Sequence, residues 1–437
     1  MNLIDIYRLF LEGDGRFTTD SRHIEPGSMF FALKGDKFNG NAFAAKALAD
    51  GARWAIIDEV AYQQDERMLL VDDVLTTLQD LARQHRKSVK GLKVIGITGS
   101  NGKTTTKELL REVLSTHYRT WATPGNLNNH IGVPITLLRM PLDTEYAVIE
   151  MGANHPGEVL PLCEIAQPDY ALVTSVGKEH LEGFGSLENI IATECENYAY
   201  VAAHKGTLFL HQDDAELMAY AGQFGPAIYY GSGKEADCVG RLLGAEWFVR
   251  LQWENSYRLM LRAPVVETQL FGSYNYVNLL AAACVARYCS VPYDKINAAL
   301  AAYKPANNRS QLLESGGNRV ILDAYNANPH SMTAAVENFI ALESAEKVLV
   351  LGDMFELGDA ADEEHLAVLD LIAKGKFDEV LLCGPLFGKF ASEYPAFQFY
   401  DSLEQLIEKL PFSSFHGKTL LIKGSRGMQM ERYLRDL

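Results

Sequence analysis

A chain of 437 residues exceeds what one hydrophobic core normally serves, and its length predicts about three domains. Its formal net charge of -16 disfavours binding to nucleic acid or to a membrane surface, because both partners are polyanions. No apolar run approaches the roughly 20 residues that span a bilayer, so we expect no membrane insertion. The six cysteines lack Cys-x-x-Cys spacing and the N-terminus lacks a basic leader. We therefore expect free thiols in a cytoplasmic protein, and we expect a monomer.

Residues 1–87 predict a small α/β domain. Residues 28–33 show the pattern of a strand, and residues 42–49 show the small-residue pattern of a helix that ends at Gly51. The basic stretch 83–91 is predicted to be a solvent-exposed helix end and a linker.

A glycine-rich loop then joins an apolar run to a helical pattern, at Gly96-Ile97-Thr98-Gly99-Ser100-Asn101-Gly102-Lys103-Thr104-Thr105-Thr106. Residues 92–98 predict a buried parallel strand and residues 107–114 a helix. Glycines in this context turn backbone N–H groups toward one anion, Lys103 can reach terminal phosphates, and the Thr104 hydroxyl can ligate magnesium. The predicted nucleotide-binding residues are Gly99, Ser100, Asn101, Gly102, Lys103, Thr104 and Thr105.

Two observations bear on how specific this loop is. A plain glycine-rich turn between strand and helix is the alternative interpretation. The usual phosphate loop has glycine where this chain has Ile97, so the leading glycine is Gly96. That shift weakens an assignment as a generic kinase or GTPase.

The remaining chain alternates strand and helix patterns. Apolar runs at 147–150, 170–174 and 207–210 predict a central doubly wound P-loop ATPase domain over 88–303. Runs at 319–323, 347–353, 379–384 and 419–424 repeat a strand-then-glycine pattern, which predicts a Rossmann-like C-terminal domain over 304–437.

Two polar residues after apolar strands are candidate magnesium ligands, because ligands gather at the carboxyl ends of parallel strands. Glu150 ends one predicted strand, and a carboxylate near Thr104 is what nucleotide-bound magnesium needs. His180 follows the next strand; taken alone, it could equally be a hydrogen-bonded loop histidine.

The chain resembles the Mur ligase family over nearly its full length. The resemblance lies in stretches that include Asp20-Ser21-Arg22, the phosphate loop, Gly125-Asn126-Leu127-Asn128-Asn129, His180-Leu181-Glu182-Gly183-Phe184-Gly185, Asp323-Ala324-Tyr325-Asn326-Ala327-Asn328-Pro329, Gly352-Asp353-Met354-Phe355-Glu356-Leu357-Gly358 and Lys423-Gly424-Ser425-Arg426. It implies an ATP-dependent ligase that joins D-alanyl-D-alanine to UDP-N-acetylmuramoyl-tripeptide through an acyl phosphate, with ATP and two Mg2+ ions as cofactors.

The resemblance also implies which residues hold the metal ions. Thr104 and Glu150 would hold the first ion and His180 the second, while Lys103 would neutralise phosphate charge. Where relatives carry a carbamylated lysine, this chain has Glu194, and we expect its carboxylate to supply the same negative oxygen on a shorter arm. The catalytic set is then Lys103, His180 and Glu194. The alternative is that Glu194 is a solvated helix residue and that the second site is weakened or filled by Glu196.

Further roles follow from the same resemblance. Asn275, Asn278, Arg309 and Asp323 are expected at the nucleoside of ATP, with Asp323 alternatively a strand-end cap. The substrate-binding candidates are Ser21, Arg22, Phe31 and Lys34 for the UDP moiety, Asn126, Asn128 and Asn129 for the muramoyl peptide, and Asn326, Asn328 and Ser331 for the acceptor dipeptide.

Three other interpretations stay open at this point. The chain could be a sibling ligase that adds another amino acid, or a relative of folylpolyglutamate synthase. It could also be a nucleotide-binding protein without catalysis, for which the Glu194 replacement is the best argument.

Overall fold

The computed structural model describes residues 2–35, 37–255, 264–344 and 346–434. Its strands are β1 (Phe17–Thr18), β2 (Met29–Phe31), β3 (Lys34–Gly35), β4 (Phe38–Asn39), β5 (Trp54–Ile57), β6 (Met68–Leu70), β7 (Lys93–Thr98), β8 (Thr120–Ala122), β9 (Tyr146–Glu150), β10 (Tyr170–Val173), β11 (Thr207–His211), β12 (Ala227–Gly231), β13 (Cys238–Gly244), β14 (Arg250–Asn255), β15 (Val266–Glu267), β16 (Gln311–Ser315), β17 (Asn318–Asp323), β18 (Lys347–Gly352), β19 (Glu379–Cys383), β20 (Gln398–Tyr400) and β21 (Thr419–Lys423).

The α-helices are α1 (Leu3–Glu12), α2 (Ala44–Ala49), α3 (Val74–Ser88), α4 (Lys103–Ser115), α5 (Gly132–Leu138), α6 (Val159–Ala166), α7 (Leu181–Phe184), α8 (Leu187–Glu194), α9 (Glu196–Ala203), α10 (Ala215–Ala221), α11 (Asn275–Tyr288), α12 (Tyr293–Ala302), α13 (Pro329–Ala341), α14 (Ala361–Ala373), α15 (Pro385–Gly388) and α16 (Leu403–Lys409). Short 3-10 helices span Gly40–Phe43, Val60–Tyr62, Gly222–Phe224, Gly358–Ala360, Phe412–Ser414, Arg426–Met428 and Met430–Leu434.

The chain divides into two compact units. The first comprises Met1–Ile97, Tyr118–Gly152 and Val159–Tyr170, and the second comprises Thr98–His117, Ala153–Glu158 and Ala171–Leu437. The predicted domain bounds at 87/88 and 303/304 stay a prediction, and their outer ends at 1 and 437 lie outside the described residues.

In the first unit, a parallel sheet of order β1-β2-β5-β6 forms the predicted N-terminal α/β arrangement. Inward side chains such as Phe30, Ala55 and Ile57 form one hydrophobic cluster with residues of α2. Strands β7, β9 and β8 pair in that order, also in parallel. The predicted strands and helix of this region are therefore confirmed, with bounds that differ by a few residues.

Helix α3 corrects the expectation for the basic stretch 83–91. The helix starts where the Asp73 side chain accepts the backbone N–H of Thr76, and it continues to Ser88. His85 on this helix is buried: its Nδ1 lies 3.1 Å from the Tyr7 hydroxyl, and its Nε2 donates to the Met140 carbonyl at 2.7 Å. The stretch is therefore largely helical, and the prediction of a solvent-exposed end is wrong for His85.

In the second unit, helix α4 packs against α11 and α12 beside strands of order β15-β14-β13-β12-β11-β10. A separate sheet of order β16-β17-β21-β18-β19-β20 is parallel except for its edge strand β16. Alternate residues of its strands belong to two different clusters, with Ile321 in one and Val320 and Leu322 in the other. Burial on both faces is what a Rossmann-like sheet requires, so this part of the fold prediction is confirmed.

Two expectations from the composition concern the cysteines and membrane insertion. All six cysteines are thiols outside any disulfide bond, as expected, and all six are buried. Within the described ranges, no helix is both long enough and apolar enough to cross a membrane.

Candidate active site around the phosphate loop

The loop between β7 and α4 needs glycine at two positions. Gly99 has a φ of +121° and Gly102 a φ of +85°, where side chains are disfavoured. A Cβ on Gly99 would also meet Thr174 Oγ1 at 2.5 Å, and one on Gly102 would overlap the Asn278 carboxamide. The backbone is thus packed closely on its neighbours, while α4 begins directly at Lys103. This is the geometry that presents N–H groups and a helix N-terminus to a phosphate.

The segment after β10 fixes the shape of this loop. The N–H of Ser100 donates to the Ser175 carbonyl at 2.7 Å, and Thr174 Oγ1 donates to the Asn101 carbonyl at 2.6 Å. The Ser100 hydroxyl exchanges hydrogen bonds with the backbone of Gly177, both at 3.0 Å. Thr174 and Ser175 were not predicted from the sequence, although their place just after an apolar strand is a signal that could have found them.

Lys103 lies beside a carboxylate that the sequence analysis also missed. Its Nζ donates to the carbonyls of Gly99 and Ser100, and it lies 3.7 Å from Glu179 Oε1. Glu179 is buried, and burial raises its pKa to about 8 even though the Lys103 ammonium opposes the shift. The position of Glu179, immediately before His180, was the available signal.

Glu194 lies directly under the loop. Its Oε2 accepts the backbone N–H of Gly99 at 2.5 Å, and its carbonyl accepts the Thr98 hydroxyl at 2.8 Å. The residue has 0% exposure, and burial raises the pKa of its carboxyl. The alternative in which Glu194 is a solvated helix residue is therefore wrong.

The imidazole of His180 contacts a glutamate from the C-terminal part of the same unit. It has a left-handed backbone with φ 43°, and its Nδ1 lies 2.5 Å from Glu356 Oε2. Burial lowers the pKa of its imidazole. A second link runs nearby, from Lys178 Nζ to Glu364 Oε1 at 2.6 Å. Glu356 and Glu364 were not predicted.

The buried oxygens here fit a magnesium ion. Thr104 is buried in the first turn of α4, and Glu194 Oε1 is a buried carboxylate oxygen to which no described residue donates a hydrogen bond. Mg2+ prefers hydroxyl and carboxylate oxygens of this kind. Across the part of the chain that the structure describes, no group of three or more His, Cys, Asp or Glu is arranged as a complete metal cage. A nucleotide-bound ion, which keeps waters and phosphate oxygens as ligands, does not need such a cage.

In the first unit, Glu150 ends β9 and is buried. Its Oε1 accepts the side-chain N–H of Asn128 at 3.0 Å, so the structure brings these two predicted residues together. Asn129 Oδ1 accepts the N–H of Gly132 at 2.8 Å at the start of α5, and Asn126 is exposed. Asn128 therefore orients Glu150, whereas Asn129 has a local structural use.

The residues predicted at the nucleoside form one network. The Asn278 side chain donates to Asn275 Oδ1 at 3.0 Å and accepts the Thr106 hydroxyl at 3.2 Å. Asp323 accepts the Ser310 N–H at 2.9 Å and pairs with Lys423 Nζ at 2.6 Å. Beside it, the Arg309 guanidinium lies 3.7 Å from the centroid of the Tyr325 ring. Asn278 thus packs against the loop and Asn275 orients Asn278, while Asp323 lies at the end of β17 as predicted.

The predicted acceptor residues adjoin the phosphate loop. Asn328 and Ser331 form a reciprocal capping box at the start of α13. The Asn328 side chain also donates to Asn101 Oδ1 at 3.0 Å. Asn326 is exposed, and its Oδ1 accepts the N–H of Arg426 at 3.3 Å.

The first-domain candidates are separated by burial. Phe31 has 0% exposure, and its ring packs edge-on against the Phe17 ring, with 6.0 Å between the ring centroids. It is a core residue, so the expectation that Phe31 binds the UDP moiety is corrected. Arg22 is exposed and bonds to both carboxylate oxygens of Asp20, while the partly buried Ser21 lies beside it in the turn. Lys34 Nζ lies 3.1 Å from Asp58 Oδ1.

Comparison with known proteins identifies the family. Three models match: the Mur ligase family catalytic domain over residues 16–86, the Mur ligase middle domain over 97–286 and the Mur ligase glutamate ligase domain over 308–426. The chain is 34% identical to the UDP-N-acetylmuramoyl-tripeptide--D-alanyl-D-alanine ligase of Bacillus subtilis, over 96% of this chain and 92% of that protein.

Solved structures agree with these matches. MurF from Acinetobacter baumannii superposes with a TM-score of 0.85 at 32% identity, over 97% of this chain and 93% of that one. MurF ligase from Thermotoga maritima, solved in complex with ADP, gives a TM-score of 0.84 at 29% identity, over 96% of both chains. The chain has the three-domain α/β fold of these enzymes, and it belongs to the Mur ligase family.

Proposed function

We propose that this chain is the ligase that joins D-alanyl-D-alanine to UDP-N-acetylmuramoyl-tripeptide in peptidoglycan synthesis, with ATP as the energy source. The observation that carries the proposal is the 34% identity, over nearly the whole of both chains, to a relative named for this reaction. The phosphate loop supports it, because its glycines, Lys103 and helix N-terminus are built for a triphosphate.

The reaction that we propose has two steps, in which Lys103 and Glu179 have roles. The terminal carboxylate of the tripeptide attacks the γ-phosphorus of ATP, which forms an acyl phosphate and releases ADP. The amine of the dipeptide then attacks the acyl carbon, and inorganic phosphate leaves as the amide forms and the amine loses a proton. No enzyme nucleophile takes part, so the protein contributes alignment and charge neutralisation. Lys103 leaves the carbonyls of Gly99 and Ser100 for the phosphates, and Glu179 holds the ammonium close to them beforehand.

We propose two magnesium ions as the metal cofactors. When bound, they would offset the repulsion between the attacking carboxylate and the γ-phosphate. Thr104 is proposed as a ligand of the first ion, and Glu194 and His180 as ligands of the second. The buried oxygen Glu194 Oε1 supports this assignment. Glu150 as a further ligand stays a prediction of the sequence.

The cytoplasm is the proposed compartment, since six buried free thiols fit a reducing environment. We propose that the protein works as a monomer and that its substrates are the UDP-linked tripeptide and the dipeptide.

Phosphate release by the purified protein tests the function. We expect release only when ATP, UDP-N-acetylmuramoyl-tripeptide and D-alanyl-D-alanine are all present, with the UDP-linked pentapeptide as product. Equal turnover with single amino acids would favour a sibling ligase, and turnover with folates would favour the folylpolyglutamate synthase alternative. Tight binding of the UDP precursor without phosphate release would favour the protein without catalysis.

A further inference from the structure

The acceptor dipeptide offers the enzyme one permanent charge to recognise. Its side chains are methyl groups and its amine must be free to attack, so its terminal carboxylate is the group that a specific site would bind. Asn328 and Ser331, two of the predicted acceptor residues, use their side chains in the α13 cap and on Asn101. Because these side chains already have partners, a cation close to this segment is the group that could bind the carboxylate.

Two arginines contact the ring of Tyr325 in this segment. The Arg309 guanidinium lies 3.7 Å from the ring centroid and that of Arg426 lies 5.6 Å from it. Lys423, the other cation here, is 2% exposed and paired with Asp323 at 2.6 Å. Arg426, in contrast, has 60% side-chain exposure. Arg309 is only partly exposed, so Arg426 is the most accessible of these three cations.

The backbone around Arg426 is held firmly. The N–H of Arg426 donates to Asn326 Oδ1 at 3.3 Å, and the Ser425 hydroxyl donates to the Ala327 carbonyl at 3.2 Å. Glu431 Oε1 accepts from Arg426 Nη1 at 3.1 Å, the one guanidinium hydrogen bond found between Arg426 and the described residues. The guanidinium is thus oriented by one edge, and its other edge can bind a carboxylate with two parallel hydrogen bonds.

One segment of the chain contacts both Arg426 and the phosphate loop. Asn326 Oδ1 accepts the backbone N–H of Arg426, and the Asn328 side chain, two residues further on, donates to the loop residue Asn101. Arg426 therefore adjoins the segment of the predicted acceptor residues, and the same segment contacts the loop.

We propose that Arg426 binds the terminal carboxylate of the acceptor dipeptide. The proposal rests on the proposed ligase function, and it names a specificity residue for that reaction. Tyr325 supports the guanidinium through its ring face, and Glu431 sets its orientation.

The test compares two acceptors, D-alanyl-D-alanine and D-alanyl-D-alaninamide, which differ in the terminal charge. In the unchanged protein we expect kcat/KM to favour the acid by about 10- to 100-fold, the range for a charge-assisted hydrogen bond. Arg426→Met should reduce this preference to about threefold or less by raising KM for the acid, without changing KM for ATP. Arg426→Lys should keep part of the preference because it keeps the charge.

Arg432→Met is the matched control. Arg432 lies six residues further on, is 39% exposed and pairs with Glu404, so its removal should leave the preference unchanged. A preference near one in the unchanged protein, or an intact preference in Arg426→Met, would overturn the proposal while the ligase activity stands. If neither acceptor is used, the proposed function fails, and this inference fails with it.

Discussion

The acidic side chains at the phosphate loop are buried, whereas the charged side chains of the first-domain candidates for the UDP moiety are exposed. At the loop, two buried carboxylates, Glu179 and Glu194, lie near the ammonium of Lys103. In the first domain, exposed Arg22 is paired with Asp20, two residues before it in the chain.

This difference shows which site depends on a ligand. Two buried carboxylates beside a single ammonium are costly to ionise unless a further cation completes the arrangement. An exposed pair is stable alone and contributes little, so it is equally compatible with a binding site and with ordinary surface structure. The predictions below test that contrast, beginning with the change that should have the largest effect.

Replacing Lys103 should have the largest effect. Lys103→Ala removes the ammonium that neutralises both the phosphates and the buried carboxylates, so we expect turnover to fall by about 1000-fold or more. Binding of the UDP precursor should be largely unchanged. Phosphate release and calorimetric titration with the UDP precursor measure the two quantities.

Lys295→Ala is the control for Lys103→Ala. Lys295 is partly exposed and donates to the Thr116 carbonyl just past the C-terminal end of α4, away from the loop, so its loss should change neither quantity. Equal loss of turnover and precursor binding in Lys103→Ala would indicate misfolding and would weaken the contrast.

The phosphate loop could be predicted from the sequence because its information is local. The closely spaced glycines, Lys103 and Thr104 act through the backbone that connects them, and the structure reproduces the predicted strand and helix on either side. Glu179 was missed since its importance depends on Lys103, which lies 76 positions earlier in the chain. The burial of Phe31 was equally unpredictable, because a strand pattern alone does not tell which aromatic ring faces the core.

A change at Gly102 separates backbone geometry from charge. Gly102→Ala forces a side chain into a left-handed conformation, costing about 1–2 kcal/mol, and into the Asn278 carboxamide. We expect ATP affinity, measured by equilibrium binding, to fall by about 10- to 100-fold. Gly91→Ala is the control: its φ of +75° carries similar strain, but no atom lies within 4 Å of the added Cβ. Equal ATP affinity in the two variants would contradict the close packing argument.

Replacing the Glu194 carboxylate with a neutral amide tests whether the buried carboxylates bind a cation. Glu194→Gln can still accept the Gly99 N–H but has no negative charge, so the magnesium concentration for half-maximal activity should rise by about tenfold. Binding of Mn2+ in the presence of a nonhydrolysable ATP analogue should weaken similarly. Glu196→Gln, two residues on, is the control, and an effect in that variant alone would support the alternative that Glu196 fills the second site.

The smallest effect is expected at Arg22. Arg67 forms the same kind of ion pair with Asp65, and we call this arrangement of an arginine on the aspartate two residues before it a clasp, so Arg67 provides the control. Arg67 bonds to Asp65 through its Nε, Nη2 and backbone N–H, which are the same three donors that Arg22 uses on Asp20. A diphosphate at Arg22 must compete with Asp20, so we expect Arg22→Met to raise KM for the UDP precursor by only about threefold. Arg67→Met should leave that KM unchanged while costing the same small amount of stability, measured by thermal unfolding. If the two variants have the same KM, Arg22 is a structural clasp like its counterpart, and the first domain must bind UDP through other residues.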